Sequence, residues 1–516
     1  MEKRKIAIIG AGISGLVACR HTMEKGFSPI VLEAKSGIGG VWSKTIESTK
    51  LQTPKSFFQF SDFAWPPSVT ETFPDHNQVL EYLKSYATHF NLLPMIKFNT
   101  EVIDIDYFML QSEEDMVSWD LWDGSGEPFS PSGKWNITLQ DAGDPCAPTE
   151  VYQVDFVILC TGRYSDLPNM PAFPMDRGPH VFDGVVMHSM DYAAMEDDHA
   201  AEFIKGKLVT VVGFQKSAVD LAAQVAKTNG PSKPCTLLFR TAHYTVPDHL
   251  VTRIFQSLNR FAEFMVHKPS EGFFVWLLAF VLSPLLWLFS KLVEIYLRLL
   301  YPLKKYNMVP IHSFLDQISP CKFMAEPANF YDRVKQGSLI PKKSRSFCFC
   351  KNGLILDDEA TPLATDIVIF ATGYKSDEKL KNIFASTYFQ QCIIGSSAPF
   401  YRECIHPLIP NLAILGYAET GSNLFSTETR SKWVAHFLAG NFKLPTIREM
   451  EDDVNNWKNC MQRFAGMNYR RHCVSVLLQI YFNDLLCKDM GFKPRRKNWF
   501  LAELFAPYIP MDYKKL

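Results

Sequence analysis

The twelve cysteines of this 516-residue chain include no C-x-x-C pair. The dithiol spacing used by thioredoxin-reductase-like enzymes and the paired ligands of zinc ribbons are therefore missing. Cys348 and Cys350, in "FCFC", share one strand face but have no partnering His/Cys set, so no metal site is expected. We expect reduced thiols in an intracellular protein. Charge of one sign is also lacking: 53 Lys and Arg face 54 Asp and Glu. No field draws nucleic acid, and the basic stretches "PKKSR" (341–345) and "PRRKN" (494–498) read as solvated surface. No apolar leader follows "MEKRK", so a cytoplasmic location is expected. The closing "KKL" lacks the small first residue of a peroxisomal tripeptide. No 20–50-residue repeat is evident apart from two glycine turns.

What is there is an ordinary globular composition, 47% hydrophobic and 21% charged, rich in phenylalanine at 40 residues. The length predicts two or more domains.

The first glycine turn is "KIAIIGAGISGL" (5–16). An apolar strand runs into Gly10, Gly12 and Gly15, then a helical pattern, then a strand ending at Glu33. This is the strand–turn–helix–strand order of a dinucleotide site. Gly10 permits the tight turn, Gly12 bares backbone to a diphosphate, and Gly15 lets helix and sheet approach. Ala11, Ile13 and Ser14 complete the turn. Glu33 accepts ribose hydroxyls and repels a 2'-phosphate, which selects FAD or NAD over NADP. A second glycine bend, "GIGGVW" with Gly40, Val41 and Trp42, fits the longer FAD.

The second turn, "VVGFQKSAVDLA" (211–222), is less regular. Gly213 is kept, Gln215 stands at the second glycine position and Ala218 at the third. Gln215 would crowd a diphosphate. Either the turn is reshaped, or the phosphate binds further out, against the helix start at Ser217, with Ala218, Val219 and Asp220 following. Lys216 is a candidate extra phosphate contact. The next strand ends at Arg240, where the first unit has Glu33. An arginine there pairs bidentately with a 2'-phosphate, so NADPH is the expected second ligand. The fold class is therefore α/β, with two Rossmann-like domains for FAD and NADPH.

Between the turns, "FDGVVMHSMDY" (182–192) reads F-x-G-x-x-x-H-x-x-x-Y. It resembles the signature of flavin-containing monooxygenases. "LCTG" (159–162), "FATGY" (370–374, with Thr372 and Gly373) and "YRECIHPLIPNLAILGYAETGSNLFSTETRSKWVAHFLAG" (401–440) also resemble that family. "LQTPKSFFQFSDFAWP" (51–66) and "LAELFAPYIPMDY" most resemble its plant branch, which contains an immune-associated pipecolate N-hydroxylase. The resemblance implies FAD, NADPH and O2, with a C4a-hydroperoxyflavin oxygenating a nucleophilic nitrogen or sulfur of a small metabolite. Gln52 stands where many relatives carry asparagine, beside Thr53; these two are the candidate catalytic residues hydrogen-bonding toward the flavin. His188 is expected to pack or hydrogen-bond rather than act as a base.

The resemblance also places "TDIVIFATG" (365–373) in the FAD domain. The expected division is 1–194 for the first part of that domain, 195–345 for an inserted NADPH domain with an apolar helical insertion at about 250–305, and 346–516 for the remainder. Residues 112–150 are turn-rich and read as hairpins or loops. One long uncharged run, 272–290, nearly reaches a spanning length, but Pro284 is expected to interrupt it. A single crossing would also separate strands of one domain. We expect an interfacial patch on the cytosolic face of a membrane or a lid over the substrate entrance, with a buried core helix as the alternative.

The leading function is N-hydroxylation of an amine or amino acid such as pipecolate. Alternatives are thioether S-oxygenation, auxin-type oxidative decarboxylation, an FAD/NADPH reductase for a protein partner, and a silent NADPH-binding protein.

Overall fold

The computed structural model describes residues 4–108, 126–130, 133–357, 359, 361–393, 400–465 and 473–516. Among the described residues the chain builds two five-stranded parallel sheets. In the first, the strands lie in the order Ile96–Lys97, Ile30–Leu32, Ile6–Ile9, Phe156–Leu159, Leu412–Ile414. Ile6–Ile9 and Phe156–Leu159 are apolar and buried at every position. That pattern follows from a parallel sheet covered on both faces. Helix Ile13–Glu24 returns the chain between the first two strands and packs against helix Asn423–Leu438.

The second sheet repeats four places of this layout and takes its fifth strand from earlier in the chain: Leu339–Lys343, Cys235–Phe239, Val209–Val212, Ile367–Phe370, Val185–His188. Two expectations are corrected here. The strand within 365–373 pairs with Val209–Val212 and Val185–His188, not with the first sheet. The fifth strand of the first sheet is instead Leu412–Ile414. The second sheet therefore extends from Val185 to Phe370, past both 195 and 345. Three-stranded antiparallel sheets flank the two units: Thr100–Phe108 with Lys134–Asp141 and Glu150–Val154, and Phe347–Cys350 with Gly353–Leu356 and Leu363–Ala364. Within the turn-rich 112–150, residues up to 125 and residues 131–132 lie outside the described ones.

Each unit has its own apolar core. The segment 46–73 belongs to both. Leu51, Phe58 and Phe60 enter the first core, while Ile46, Phe57 and Phe73 enter the second. The loop that carries Gln52 and Thr53 is thereby held between the two units.

The apolar run forms one helix, Phe273–Leu300, preceded by Asp248–Gln256 and Arg260–Phe264. Pro284 does not break it. Proline costs the helix one N–H, the donor to the carbonyl four residues earlier. Here that carbonyl belongs to Phe280 and accepts from Ser283 Oγ at 3.3 Å.

Candidate functional site

The first turn is closed by atoms that leave no room for side chains. Gly10 has φ 103°, and a Cβ there would fall 2.6 Å from the Cys160 carbonyl oxygen. A Cβ on Gly15 would fall 1.8 Å from the Gly10 oxygen. Gly12 caps the helix with no side-chain hydrogen bond, so the first-turn N–H groups face outward for an anion. The second bend folds back onto this turn: Gly39 N donates to Ala11 O at 3.1 Å. A Cβ on Gly40 would lie 3.1 Å from Gly12 Cα. Glu33 is buried, with its carboxylate accepting from Ala11 N at 2.6 Å and Lys35 N at 2.9 Å. Its charge thus sits beside the turn it is expected to serve. Trp42 packs edge-on against Phe58, with centroids 6.0 Å apart, whereas Val41 is exposed.

A third element, overlooked in reading the sequence, completes this side. After strand Leu412–Ile414, Gly416 meets Ser14: a Cβ on Gly416 would fall 1.9 Å from Ser14 Oγ. Helix Asn423–Leu438 follows, and its N-cap, Ser422, makes no capping bond and instead donates to Phe57 O at 2.6 Å. The signal was available in "LAILGYAETGSN": strand, two glycines, helix start.

Gln52 and Thr53 lie where the units meet. Gln52 Oε1 accepts from Ala325 N at 3.1 Å, on the second unit's side. Thr53 is buried, and its Oγ1 donates to Gly421 O at 2.8 Å, at the start of the Asn423 helix. Around them stand Phe57 and Phe255, with centroids 5.3 Å apart, and Phe323 at 6.1 Å from Phe255. Phe57, Phe255 and Thr53 are buried, while Gln52 and Phe323 are half-buried.

The second turn matches the first in outline and differs in detail. Gly213, at φ 136°, would place a Cβ 2.6 Å from the Ala371 oxygen. Ala371–Gly373 thus flanks this turn as Cys160–Gly162 flanks the first, and Gly162 and Gly373 both have left-handed φ, 72° and 84°. Thr372 Oγ1 donates to Asn169 O. Gln215 is the N-cap of helix Lys216–Asn229; it makes no side-chain capping bond and is exposed, as is Ser217. The N–H groups of this helix start are therefore accessible to a phosphate.

Ala218 and Val219 are fully buried in the second core, so their side chains pack rather than face a ligand. Asp220 is buried and ion-paired to Lys216 Nζ at 2.7 Å. Burial raises its pKa and the Lys216 charge opposes that rise. Lys216 thus pairs within its own helix. Arg240 is exposed at the end of Cys235–Phe239, with no hydrogen bond or ion pair among the described residues. His188 is buried; its Nδ1 accepts from Met190 N at 3.1 Å and its ring meets Tyr374 edge-on at 5.3 Å. Burial lowers its pKa. It caps and packs.

The thiols depart from expectation. Cys321 and Cys473 form a disulfide with Cα atoms 6.1 Å apart, while the other ten cysteines are free.

Residues 3–505 match the family described as flavin-binding monooxygenase-like. The chain belongs to this family. It is 38% identical to the probable flavin-containing monooxygenase 1 of Arabidopsis thaliana, over 100% of this chain and 97% of that relative. In fold it is similar to the S-allyl-L-cysteine S-oxygenase of Allium sativum, with TM-score 0.60 and 19% identity over 95% of this chain and 89% of that one. OTEMO in complex with FAD and NADP gives TM-score 0.64 and 17% identity over 95% and 98%. This flavin-containing monooxygenase family member is an FAD-dependent NADPH monooxygenase that consumes O2 and acts on a small molecule. The first turn, with its bare backbone and buried acid, fits FAD. The second, with an exposed helix start and a basic strand end, fits NADPH.

Proposed function

We propose that the protein oxygenates a nucleophilic nitrogen of a small amine or amino acid, such as pipecolate. One atom of O2 goes to the substrate and the other to water, as NADPH and a proton become NADP+. FAD supplies the oxygen-activating chemistry. The chain's residues position and exclude. Glu33 and the Gly10–Gly15 turn hold one dinucleotide, Arg240 and the Lys216 helix start hold the other, and Gln52 and Thr53 present an amide and a hydroxyl between them.

The observation that carries the reading is the placement of Gln52. Its amide bridges to the second unit at Ala325 while Phe57, Phe255 and Phe323 keep the junction apolar. A water-excluding wall favours transfer of oxygen to substrate over loss as peroxide. The test is substrate-dependent NADPH oxidation with product identification across lysine-derived cyclic amino acids, tryptophan-derived acids and thioethers. An N-hydroxylated cyclic amino acid is expected. A sulfoxide as the sole product would replace this reading with thioether S-oxygenation, a reaction supported by the fold likeness to an S-oxygenase.

We also infer that helix Phe273–Leu300 lies on the cytosolic face of a membrane. The stretch 273–290 carries no charge, yet only Ala279, Ser290, Glu294 and Leu297 of the helix are buried. Phe274 is 84% exposed and Leu299 81%. Soluble surfaces rarely show apolar patches of more than a few hundred Å². Crossing is disfavoured because Cys235–Phe239 and Leu339–Lys343, on either side of the helix in sequence, pair directly. Glu294 Oε1 and Ser290 Oγ also accept from Phe314 N and Leu315 N, at 2.9 and 3.0 Å, holding the helix along the protein. Flotation with phospholipid vesicles tests this. Wild type should float and the Phe274→Glu, Leu288→Glu double variant should not; equal flotation of the two contradicts the inference.

A further inference from the structure

The Cys321–Cys473 bond joins residues 152 apart, on the two sides of the Gln52–Thr53 junction. Cys321 lies four residues before Ala325, whose N–H holds the Gln52 amide. Cys473 lies beside the other wall. It bridges to Glu419, and Val474 N donates to Glu419 O at 3.0 Å. Two residues beyond Glu419 is Gly421, whose carbonyl holds Thr53. Glu419 is fixed in turn by Arg163 at 3.6 Å and by the Tyr164 hydroxyl. One covalent bond therefore ties the segment that orients Gln52 to the segment that orients Thr53.

The bond is placed to be opened as well as to hold. Cys321 is half-buried whereas Cys473 is buried, so an incoming thiolate reaches Cys321 Sγ first. Carbonyl acceptors stand ready for both thiols: Glu419 O is 3.4 Å from Cys321 Sγ and Ser319 O is 3.6 Å from Cys473 Sγ. Cys321 also sits at φ 57°, a left-handed conformation that a non-glycine residue keeps only under constraint. Disulfides in a reducing compartment are usually transient or redox-sensing.

We propose that Cys321 and Cys473 are positioning residues, and that their disulfide is a redox-sensitive clamp setting the Gln52–Thr53 junction. The clamp opens by reaction with a dithiol. One thiolate attacks Cys321 Sγ, the S–S bond breaks, and Cys473 leaves as a thiolate that takes up a proton. The second thiol of the reductant then displaces Cys321. Two protein thiols form as the dithiol is oxidised to a cyclic or paired disulfide. The reduced protein keeps its fold, because Cys321 and Cys473 are only two members of the large first core, but the Ala325 and Gly421 walls separate. Water then enters the junction and reducing equivalents leave as hydrogen peroxide.

This inference rests on the proposed role of Gln52 and Thr53, and the experiment separates the two. Holoenzyme is compared before and after incubation with a dithiol, with thiol alkylation and peptide mapping, amide hydrogen exchange at Ala325, and peroxide released per NADPH. Reduction should expose both thiols, lower protection at Ala325 and raise peroxide yield by about fivefold or more. Cys321→Ser and Cys473→Ser should show the reduced behaviour without reductant and ignore the dithiol; Cys146→Ser, at an exposed free thiol, should respond as wild type. Free Cys321 and Cys473 in protein purified under oxidising conditions would overturn the clamp. So would exchange at Ala325 that is identical in wild type and Cys473→Ser. Gln52→Ala reports on the site itself: unchanged peroxide yield in that variant contradicts its proposed role, whatever the disulfide does.

Discussion

The two parallel sheets share the order of four strands and the outline of one turn, yet their turns are built with different tolerances. In the first, the third glycine approaches the Gly10 oxygen so closely that a Cβ would fall at 1.8 Å. In the second, Ala218 occupies the same place, its Cβ lying 3.2 Å from where a Cβ on Gly213 would sit. The first turn is also closed from above by Gly40, and its acid is bonded into the backbone. The second has an exposed glutamine at the cap and an exposed arginine at the strand end. A tight, covered turn suits a resident cofactor. An open one suits a cofactor that must enter and leave at each turnover.

The largest expected effect comes from blocking the covered turn. Gly12→Val places branched carbons where the diphosphate meets backbone, with the nearest protein atom, Gly40 Cα, at 3.5 Å from the new Cβ. The protein should fold but bind less than ~10% of the wild-type flavin, measured as absorbance per protein, because the helix start is no longer reachable by an anion. Arg240→Ala acts on the open turn. It should raise the KM for NADPH roughly 10–100-fold, the worth of charged hydrogen bonds, and leave that for NADH unchanged. Gln215→Gly should tighten NADP+ binding by about 2–5-fold in calorimetry, since backbone N–H groups at the cap become easier to approach. Weaker binding would show that the Gln215 side chain contributes rather than crowds.

The smallest effect concerns pH. Burial raises the Glu326 pKa from about 4.5 to about 7, against a hydrogen bond from Tyr301, with Asp248 and Asp332 adding to the rise. The folded state therefore holds this proton more tightly than the unfolded state. Its stabilising contribution is present below pH ~4.5 and is lost as pH rises through ~7. Melting temperature measured from pH 5 to 8 should fall less in Glu326→Gln than in wild type.

Much of this comparison was legible in the residues. The charges at the two strand ends, Glu33 and Arg240, follow directly from where the apolar runs stop. The partner of Ile367–Phe370 was not legible, because an all-apolar four-residue strand fits the centre of either sheet. Lys216 and Asp220 stand four apart on a helix, a spacing that signals an ion pair. The contact between Gln52 and Ala325 spans 273 residues, and the Cys321–Cys473 bond 152, so neither leaves a local pattern. Such contacts are set by how two units dock, which periodicity does not encode.

The most direct measurement is anaerobic reduction of the bound flavin by NADPH and by NADH, followed by absorbance at subsaturating nucleotide. If Glu33 and Arg240 divide the two ligands, the wild type should reduce at least ~10-fold faster with NADPH, and Arg240→Ala should lose most of that preference. Equal rates with the two nucleotides in the wild type, or an undiminished preference in Arg240→Ala, would contradict the assignment.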